Sequence, residues 1–350
     1  VKNTSIFFLS VIATLLLNNS SYAQKKNYQI VAIGFYNCEN FFDPTDNPDK
    51  DDNDFTPNGP YRYTQEVYKQ KKHNIATVFG KMGTDITPDG PAIIGVVEIE
   101  NDVVLKEVAQ EPEIKARNYK PIWFPTPDVR GISTGMLYNP KYFTLISAEP
   151  HTVDLKSLGQ TRPTRDILNV CGILAGDTVH ILVNHWPSKA GGEAASAPGR
   201  KLAATVAKGI VDSLTKADPN SRVLIMGDLN DNPTSEGVIK VLQAKADKED
   251  AGPNDIYNPW INMYKKGMGT EIYRGEWNLI DQIMISGSFL KKSSDKLFYY
   301  KCEIFNRDFL THMIGQDKGT PHRSFTISQV WDNGYSDHYP VLVYMLKEAK

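Results

Sequence analysis

Six apolar runs rich in β-branched residues recur along this chain, and each carries polar, chemistry-bearing residues at one end. Ile30 to Tyr36 ends at Asn37, Ala92 to Val97 at Glu98, Val179 to Val183 at Asn184 and His185, and Val223 to Met226 at Gly227 and Asp228. Two others are reversed: Asp281 precedes Ile283-Met284-Ile285, and Asp337-His338 precede Val341-Leu342-Val343. Runs of this length and composition read as strands. If the first four bring their carboxyl ends to one edge, the last two reach that edge with their amino ends and run the other way. The pattern predicts mixed or largely antiparallel sheets whose polar sites gather at one rim. Chance would scatter them over both ends.

Helical spacing falls between these runs. Gln65 to Phe79 and Arg200 to Thr215 have the periodicity of amphipathic helices, and Val103 to Gln110 is a shorter candidate. A chain of 350 residues needs two or more packed layers to share one core. Two face-to-face sheets covered by helices on their outer faces use all these elements, which gives an α+β fold.

The segment Ile225-Met226-Gly227-Asp228-Leu229-Asn230-Asp231-Asn232-Pro233 says most about chemistry. An apolar strand stops at Gly and presents a carboxylate and a carboxamide together. A carboxylate can take a proton from water, and an amide can hold that water or a phosphate oxygen. The residues expected at the common rim are Asn37, Glu98, His185, Asp228, Asn230, Asp281, Asp337 and His338. They bear oxygen and imidazole and no thiol, which favours magnesium, calcium or manganese over zinc. Phosphoryl transfer suits such an ion, because its transition state spreads negative charge over phosphate oxygens. Glu100 is the rival of Glu98, since alternation along a strand would place both on one face.

The motifs together resemble the endonuclease/exonuclease/phosphatase superfamily, with its deoxyribonuclease-I-like fold. The matching stretches are Phe35 to Phe42, Gly95 to Glu98, Asn184 to Lys189, Gly227 to Asn230, Leu279 to Gln282 and Ser336 to Pro340, in the family's order. The resemblance implies a four-layered α/β/β/α sandwich and metal-dependent cleavage of phosphoester bonds. It implies Glu98 as main metal ligand, with Asn37 and Asp337 close to the ion or its waters. Asp228 would activate or orient the attacking water, and Asn230 would hold it or a phosphate oxygen. Asp281 would fix the tautomer of His338, which would donate to a phosphate oxygen. His185 would stabilise developing charge or protonate the leaving oxygen. The ion implied is Mg2+, with Ca2+ or Mn2+ as alternatives.

Other features carry less. Arg162, Arg165, Lys189, Arg200 and Arg323 lie near the motifs; Arg165, Lys189 and Arg323 are the candidates for contact with substrate phosphate. Surface charge or an ion pair is an equal reading of each. Trp186 and Trp277 adjoin site motifs and would either stack on a base or pack under a loop. The acidic run Asp43 to Asp54 lacks the glycine and terminal glutamate of a calcium loop and reads as a solvated loop. Cys38, Cys171 and Cys302 allow at most one disulfide, and Cys171 reads as a small core residue. Lys2, the apolar stretch Ile6 to Leu17 and the small residues Ser21 and Ala23 read as a signal peptide over residues 1–23. A single catalytic domain over residues 24–350 would follow, exported to the periplasm, cell surface or medium, with no stable membrane insertion.

A net charge of −2 argues against a globally basic polyanion binder but leaves local patches open. The leading expectation is an exported phosphodiesterase acting on nucleic acid, since Asn184 to Lys189 resembles secreted bacterial nucleases of the family. The alternative keeps the chemistry and changes the substrate to inositol phosphates, phospholipid head groups or other small phosphoesters. A non-catalytic phosphate- or glycan-binding protein is the third reading, and it has no need for all eight site residues.

Overall fold

The structure, a computed structural model, describes residues 27–349; the expected signal peptide lies outside the described residues. The strands are β1 (Tyr28–Phe41), β2 (Ile93–Ile99), β3 (Lys120–Trp123), β4 (Ser133–Tyr138), β5 (Phe143–His151), β6 (Ile167–Leu174) and β7 (Asp177–His185). They continue with β8 (Val223–Asp228), β9 (Ile256–Tyr257), β10 (Glu271–Tyr273), β11 (Glu276–Asn278), β12 (Asp281–Ser286), β13 (Phe298–Ile304) and β14 (Val341–Glu348). The helices are α1 (Gln65–Lys81), α2 (Asp102–Val108), α3 (Glu193–Ala217) and the short α4 (Trp260–Tyr264).

Two six-stranded sheets form, in the orders β13-β14-β1-β2-β4-β3 and β5-β6-β7-β8-β12-β9, while β10 and β11 make a separate hairpin. Both sheets are mixed. β1 runs parallel to β2, and β7 parallel to β8. The two reversed runs are antiparallel to their neighbours, β14 to β1 and β12 to β8.

Alternation along the strands assigns the layers. In β7, Val179, Ile181 and Val183 enter the core between the sheets, whereas Leu182 packs outward against α3. In β8, Leu224 and Met226 face inward, and Val223 and Ile225 face Ala203, Ala204, Ala207 and Ile210 of α3. On the other side α1 buries Ile75, Val78 and Phe79 against the first sheet. The result is the α/β/β/α sandwich. The sheets approach closely enough that a Cβ on Gly95 would stand 2.4 Å from Met226 Sδ, so residue 95 is glycine for want of space.

Two departures from the sequence reading bear on the site, beyond shifts at other element ends. α3 begins at Glu193 rather than Arg200 and absorbs the Gly/Ala/Ser-rich stretch together with Pro198. Alanines favour the helix there, and Arg200 pins the new first turn by pairing with Glu193. β1 also runs on to Phe41, past Asn37, so the first polar site lies inside a strand and not in a turn. Among the described residues no helix is long and apolar enough to cross a membrane.

Candidate active site

Strand register sets the rim. His185 lies opposite Asp228 across the β7–β8 pair, and Asp281 lies opposite Asp228 across β12–β8. Asp228 is therefore flanked on both sides within one sheet. Gly227 makes this possible, because a Cβ there would meet the Asn184 carbonyl at 2.2 Å. The second sheet supplies the rest. Asn37 Nδ2 of β1 donates to Asp228 Oδ2 at 3.0 Å and lies 3.4 Å from both Glu98 Oε1 and His338 Nε2. Its carbonyl oxygen side is held by the Glu39 N–H at 2.9 Å, so Asn37 turns its nitrogen to the carboxylates. The loop before β14 is anchored by Ser336, whose hydroxyl donates to the Asn37 main-chain carbonyl at 2.7 Å.

Glu98 owes its direction to an irregularity that alternation cannot foresee. The β1–β2 and β2–β4 registers both shift here, and Glu98 takes a left-handed φ of 60°, as do Glu39 and Asn40 at 48° and 50°. Bulges re-aim side chains in this way, and a non-glycine residue at positive φ is strained. The reward is local: the Asn40 N–H donates to Glu98 Oε2 at 2.7 Å, and Oε1 faces the cluster 3.9 Å from His185 Nε2. Glu100, the rival from alternation, is turned away. It accepts from the Asp43 N–H at 2.6 Å and lies buried beneath that loop.

His338 and His185 sit in opposite electrostatic settings. Burial opposes charge on His338, but Asp281, Asp337 and Asp228 outweigh it and hold the imidazole well above the usual histidine range. Its Nδ1 is 2.8 Å from Asp281 Oδ2, so Nε2 is the atom left for a ligand. Burial, with Arg165, Arg130 and His338 adding to it, pushes His185 well below the usual range and keeps it neutral. Burial raises the Asp228 carboxyl to about 7, with Asp281 and Glu98 adding to the effect while His338 opposes it. Asn230 follows at a left-handed φ of 49°, which asparagine tolerates; its N–H donates to Asp228 Oδ1 at 2.8 Å and its side chain to the Trp186 carbonyl at 3.1 Å.

The flanking candidates divide. Asp337 Oδ1 lies 3.8 Å from His338 Nε2, and its Oδ2 accepts from Arg323 at 3.1 Å, so Arg323 is committed to a carboxylate at the rim. Lys189 lines the groove in front of the cluster and lies 3.6 Å from Glu193. Arg165 is not presented to a ligand. It is buried, with its guanidinium donating to Asp128 at 3.3 Å and to the Trp186 carbonyl at 2.6 Å. Arg200 is fully buried and pairs with Asp231 at 2.8 Å, and Arg162 reaches only Asp51 at the surface. Trp186 packs under its loop and donates to Asn184 Oδ1 at 3.0 Å, while Trp277 stacks on Tyr339. Cys171 is half-buried rather than a core residue, and the three thiols are free. In the acidic run, Asp52 accepts from the Asn47 N–H and Asp46 from Asn53, which knits the loop to itself.

Because Arg165 donates to Asp128 inside the protein, Arg165→Ala is expected to cost about 1–3 kcal/mol by leaving Asp128 Oδ2 without that partner, while the Arg130 N–H stays on Oδ1 at 2.9 Å. Urea unfolding measures it; a change below about 1 kcal/mol would show that the pair is solvated.

The cluster opens into a groove of about 830 Å³ lined also by Arg130, Tyr273, Arg274 and Glu276. The sequence reading missed these. Arg130 lies in a loop with no strand to flag it, and the β10–β11 hairpin is too short to show a period. The donor chemistry of the rim fits a hard divalent cation. Glu98 Oε1 and Asp228 Oδ2 share Asn37 Nδ2 at 3.4 and 3.0 Å and His185 Nε2 at 3.9 and 3.7 Å, and Asp281 Oδ1 is buried without a hydrogen-bond partner.

Residues 32–347 match the model of the Endonuclease/Exonuclease/phosphatase family. No curated protein matches the sequence. An endonuclease/exonuclease/phosphatase family protein from Bacteroides thetaiotaomicron shares the fold with a TM-score of 0.54 at 12% identity, over 93% of this chain and 100% of that one. Truncated TDP2 from Caenorhabditis elegans gives a TM-score of 0.53 at 14% identity over 90% and 97%. D. rerio TDP2, solved with a single strand DNA product, gives 0.52 at 12% identity over 90% and 98%.

Proposed function

We propose, from the premise that the chain belongs to the endonuclease/exonuclease/phosphatase family and is therefore a metal-dependent phosphoesterase, that it is an exported enzyme hydrolysing phosphodiester bonds of nucleic acid. The observation that carries this reading is the pairing of a buried Asp228, raised to about 7, with an imidazolium at His338 across one rim. One group is poised to take a proton near neutral pH, and the other holds positive charge where phosphate oxygens would gather.

Glu98 would hold the cation, with Asp337 and Asn37 beside it or its waters; Mg2+ is the proposed ion. When bound, it neutralises charge on the phosphoryl group. The remaining work falls to the chain. Asp228 takes the proton of the attacking water, which Asn230 orients. His338 Nε2–H donates to a non-bridging oxygen, and Asp281 fixes the ring. His185 is neutral, so its part is to donate a hydrogen bond to developing charge and not to deliver an acid proton. Asn37 holds the carboxylates of both sheets in register.

Nucleic acid is supported by the outer groove. Tyr273 is 56% exposed at the hairpin tip with Arg274 over its ring at 5.1 Å, a platform on which an unpaired base can stack. A related fold, D. rerio TDP2, has been solved with a single strand DNA product. Export rests on the signal-like segment Ile6 to Leu17.

One observation favours a small phosphoester instead. Arg130, Lys189 and Arg274 at the groove are matched by Glu193, Glu271 and Glu276, which leaves a polyanion little net attraction. The test is incubation of the protein with plasmid, single-stranded DNA and a panel of sugar, inositol and lipid phosphates, with magnesium and with chelator. Magnesium-dependent cleavage of nucleic acid is expected, single strands fastest, with a salt slope of log affinity shallower than about −4 because at most these three cations and the His338 imidazolium meet phosphates. Turnover of small phosphoesters without any nucleic-acid cleavage would reverse the substrate assignment.

A further inference from the structure

His312, His322 and Asp332 follow one another at ten-residue intervals between β13 and β14. They fall on neighbouring segments of a small antiparallel meander, in which Thr311 pairs with Pro321 and Phe325 with Trp331. Main-chain bonds hold the frame: the His312 N–H donates to the Thr320 carbonyl at 2.9 Å, and the His322 N–H to the Leu310 carbonyl at 2.8 Å. The two imidazoles lie side by side with centroids 4.3 Å apart and planes tilted by 46°. Both direct Nε2 at one oxygen. His322 Nε2 is 3.5 Å and His312 Nε2 is 3.9 Å from Asp332 Oδ2, and the three atoms lie within 4.8 Å of one another.

These separations are long for charge-assisted hydrogen bonds, which settle at about 2.7–2.9 Å. They are close to the edges of a coordination polyhedron: ligand atoms bound at about 2.0–2.2 Å around a tetrahedral ion stand roughly 3.3–3.6 Å apart. Side-chain exposures of 17% for His312, 27% for His322 and 38% for Asp332 leave the cluster half-covered and reachable by an ion.

We propose that His312 Nε2, His322 Nε2 and Asp332 Oδ2 form a three-ligand site for a zinc-like transition-metal dication, separate from the phosphoesterase rim, with solvent at the fourth position. Two imidazole nitrogens and one carboxylate select this class of ion over magnesium or calcium. Binding displaces the contact of His322 Nε2 with the Asp332 main-chain carbonyl, now 3.2 Å: a neutral ring carries its one proton on Nδ1 when Nε2 binds the ion, and an imidazolium loses its Nε2 proton to solvent. The site also reaches the rim through the backbone. The His322 carbonyl accepts the N–H groups of Tyr335 and Ser336 at 2.7 and 3.3 Å, and Arg323 next to it holds Asp337. An ion here would staple the segment that delivers Ser336, Asp337 and His338.

Cobalt(II) is the probe, titrated into protein carrying Glu98→Gln in excess magnesium, so that the rim is disabled and its residual affinity occupied. The expected result is one equivalent of cobalt with the visible ligand-field bands of a four-coordinate ion, and a cobalt-dependent rise in Tm. Adding His322→Ala should abolish the bands and the rise and weaken cobalt binding by more than about 100-fold, beyond the roughly 10–100-fold that loss of a supporting partner costs. Should His322→Ala fail to fold, Asp332→Asn keeps the side-chain shape and reads the same two signals. Absence of four-coordinate bands in the parent, or their persistence when both histidines are replaced, overturns the site.

Discussion

Replacing Asp228 with Asn is expected to lower kcat by about 10²–10⁴-fold, the range a positioned general base supplies, while leaving the fold intact. The amide keeps an oxygen for the Asn230 N–H that the carboxylate now binds at 2.8 Å. Stability gives an independent signature with a definite sign. Burial raises this carboxyl from an ordinary 3.8 to about 7 in the folded protein. Its contribution to stability is therefore fully present below about pH 4 and is lost as pH rises through 7. The variant carries no ionisable group at this position. Its stability relative to wild type should grow across that window, as read by urea midpoints at a series of pH values. Activity should move the other way. In wild type, kcat/KM should climb with pH through the Asp228 titration, and saturating divalent cation should draw that limb to lower pH by favouring the carboxylate. In the variant the limb should vanish. Unchanged kcat, or a limb that survives the substitution, would remove Asp228 from the proton transfer.

Much of this rim was readable because side-chain period and strand direction are linked. The runs ending at His185 and Asp228 and those beginning at Asp281 and His338 needed only a consistent edge, and the β7–β8 and β12–β8 registers set these partners side by side. Helix positions were readable for the same reason, since apolar spacing sets the buried face of α1. What failed was what alternation cannot encode. Glu98 and Glu100 sit two apart, so alternation alone did not separate them and only the family pattern preferred Glu98; a bulge with φ of 60° at Glu98 sends them to different places. Arg165 read equally as a phosphate contact, because guanidinium chemistry suits phosphate, and as a member of an ion pair. Whether it faces a ligand or a buried Asp128 is settled by packing between distant loops, which leaves no local mark. The start of α3 was hidden by glycine, serine and Pro198, and the long-range pairing of Arg200 with Asp231 that supports it has no signature in spacing.

The second large effect is expected at His338. Substitution by Gln should cost about 10²–10³-fold in kcat, the scale of a donor aimed at developing negative charge. Asp281→Asn should cost nearly as much, because its contact with His338 Nδ1 at 2.8 Å both orients the ring and sustains its charge. The two residues form a unit, so the double variant should be little worse than either single one; summed losses would mean that they act apart. The pH profile separates orientation from charge. Burial alone would push His338 down, and Asp281, the strongest of the three carboxylates opposing it, keeps it raised well above the ordinary histidine value. The imidazolium therefore persists well above the ordinary histidine range in wild type, and activity falls only where it finally loses its proton. With Asn at 281 that loss should begin at lower pH. Stability should follow the same sign: the raised histidine stabilises the fold below its unfolded pKa of about 6.5, and the effect disappears as pH rises through the folded value. In Asp281→Asn the disappearance should start earlier. An alkaline limb that stays in place while kcat drops would leave Asp281 as a positioning group for the ring and nothing more.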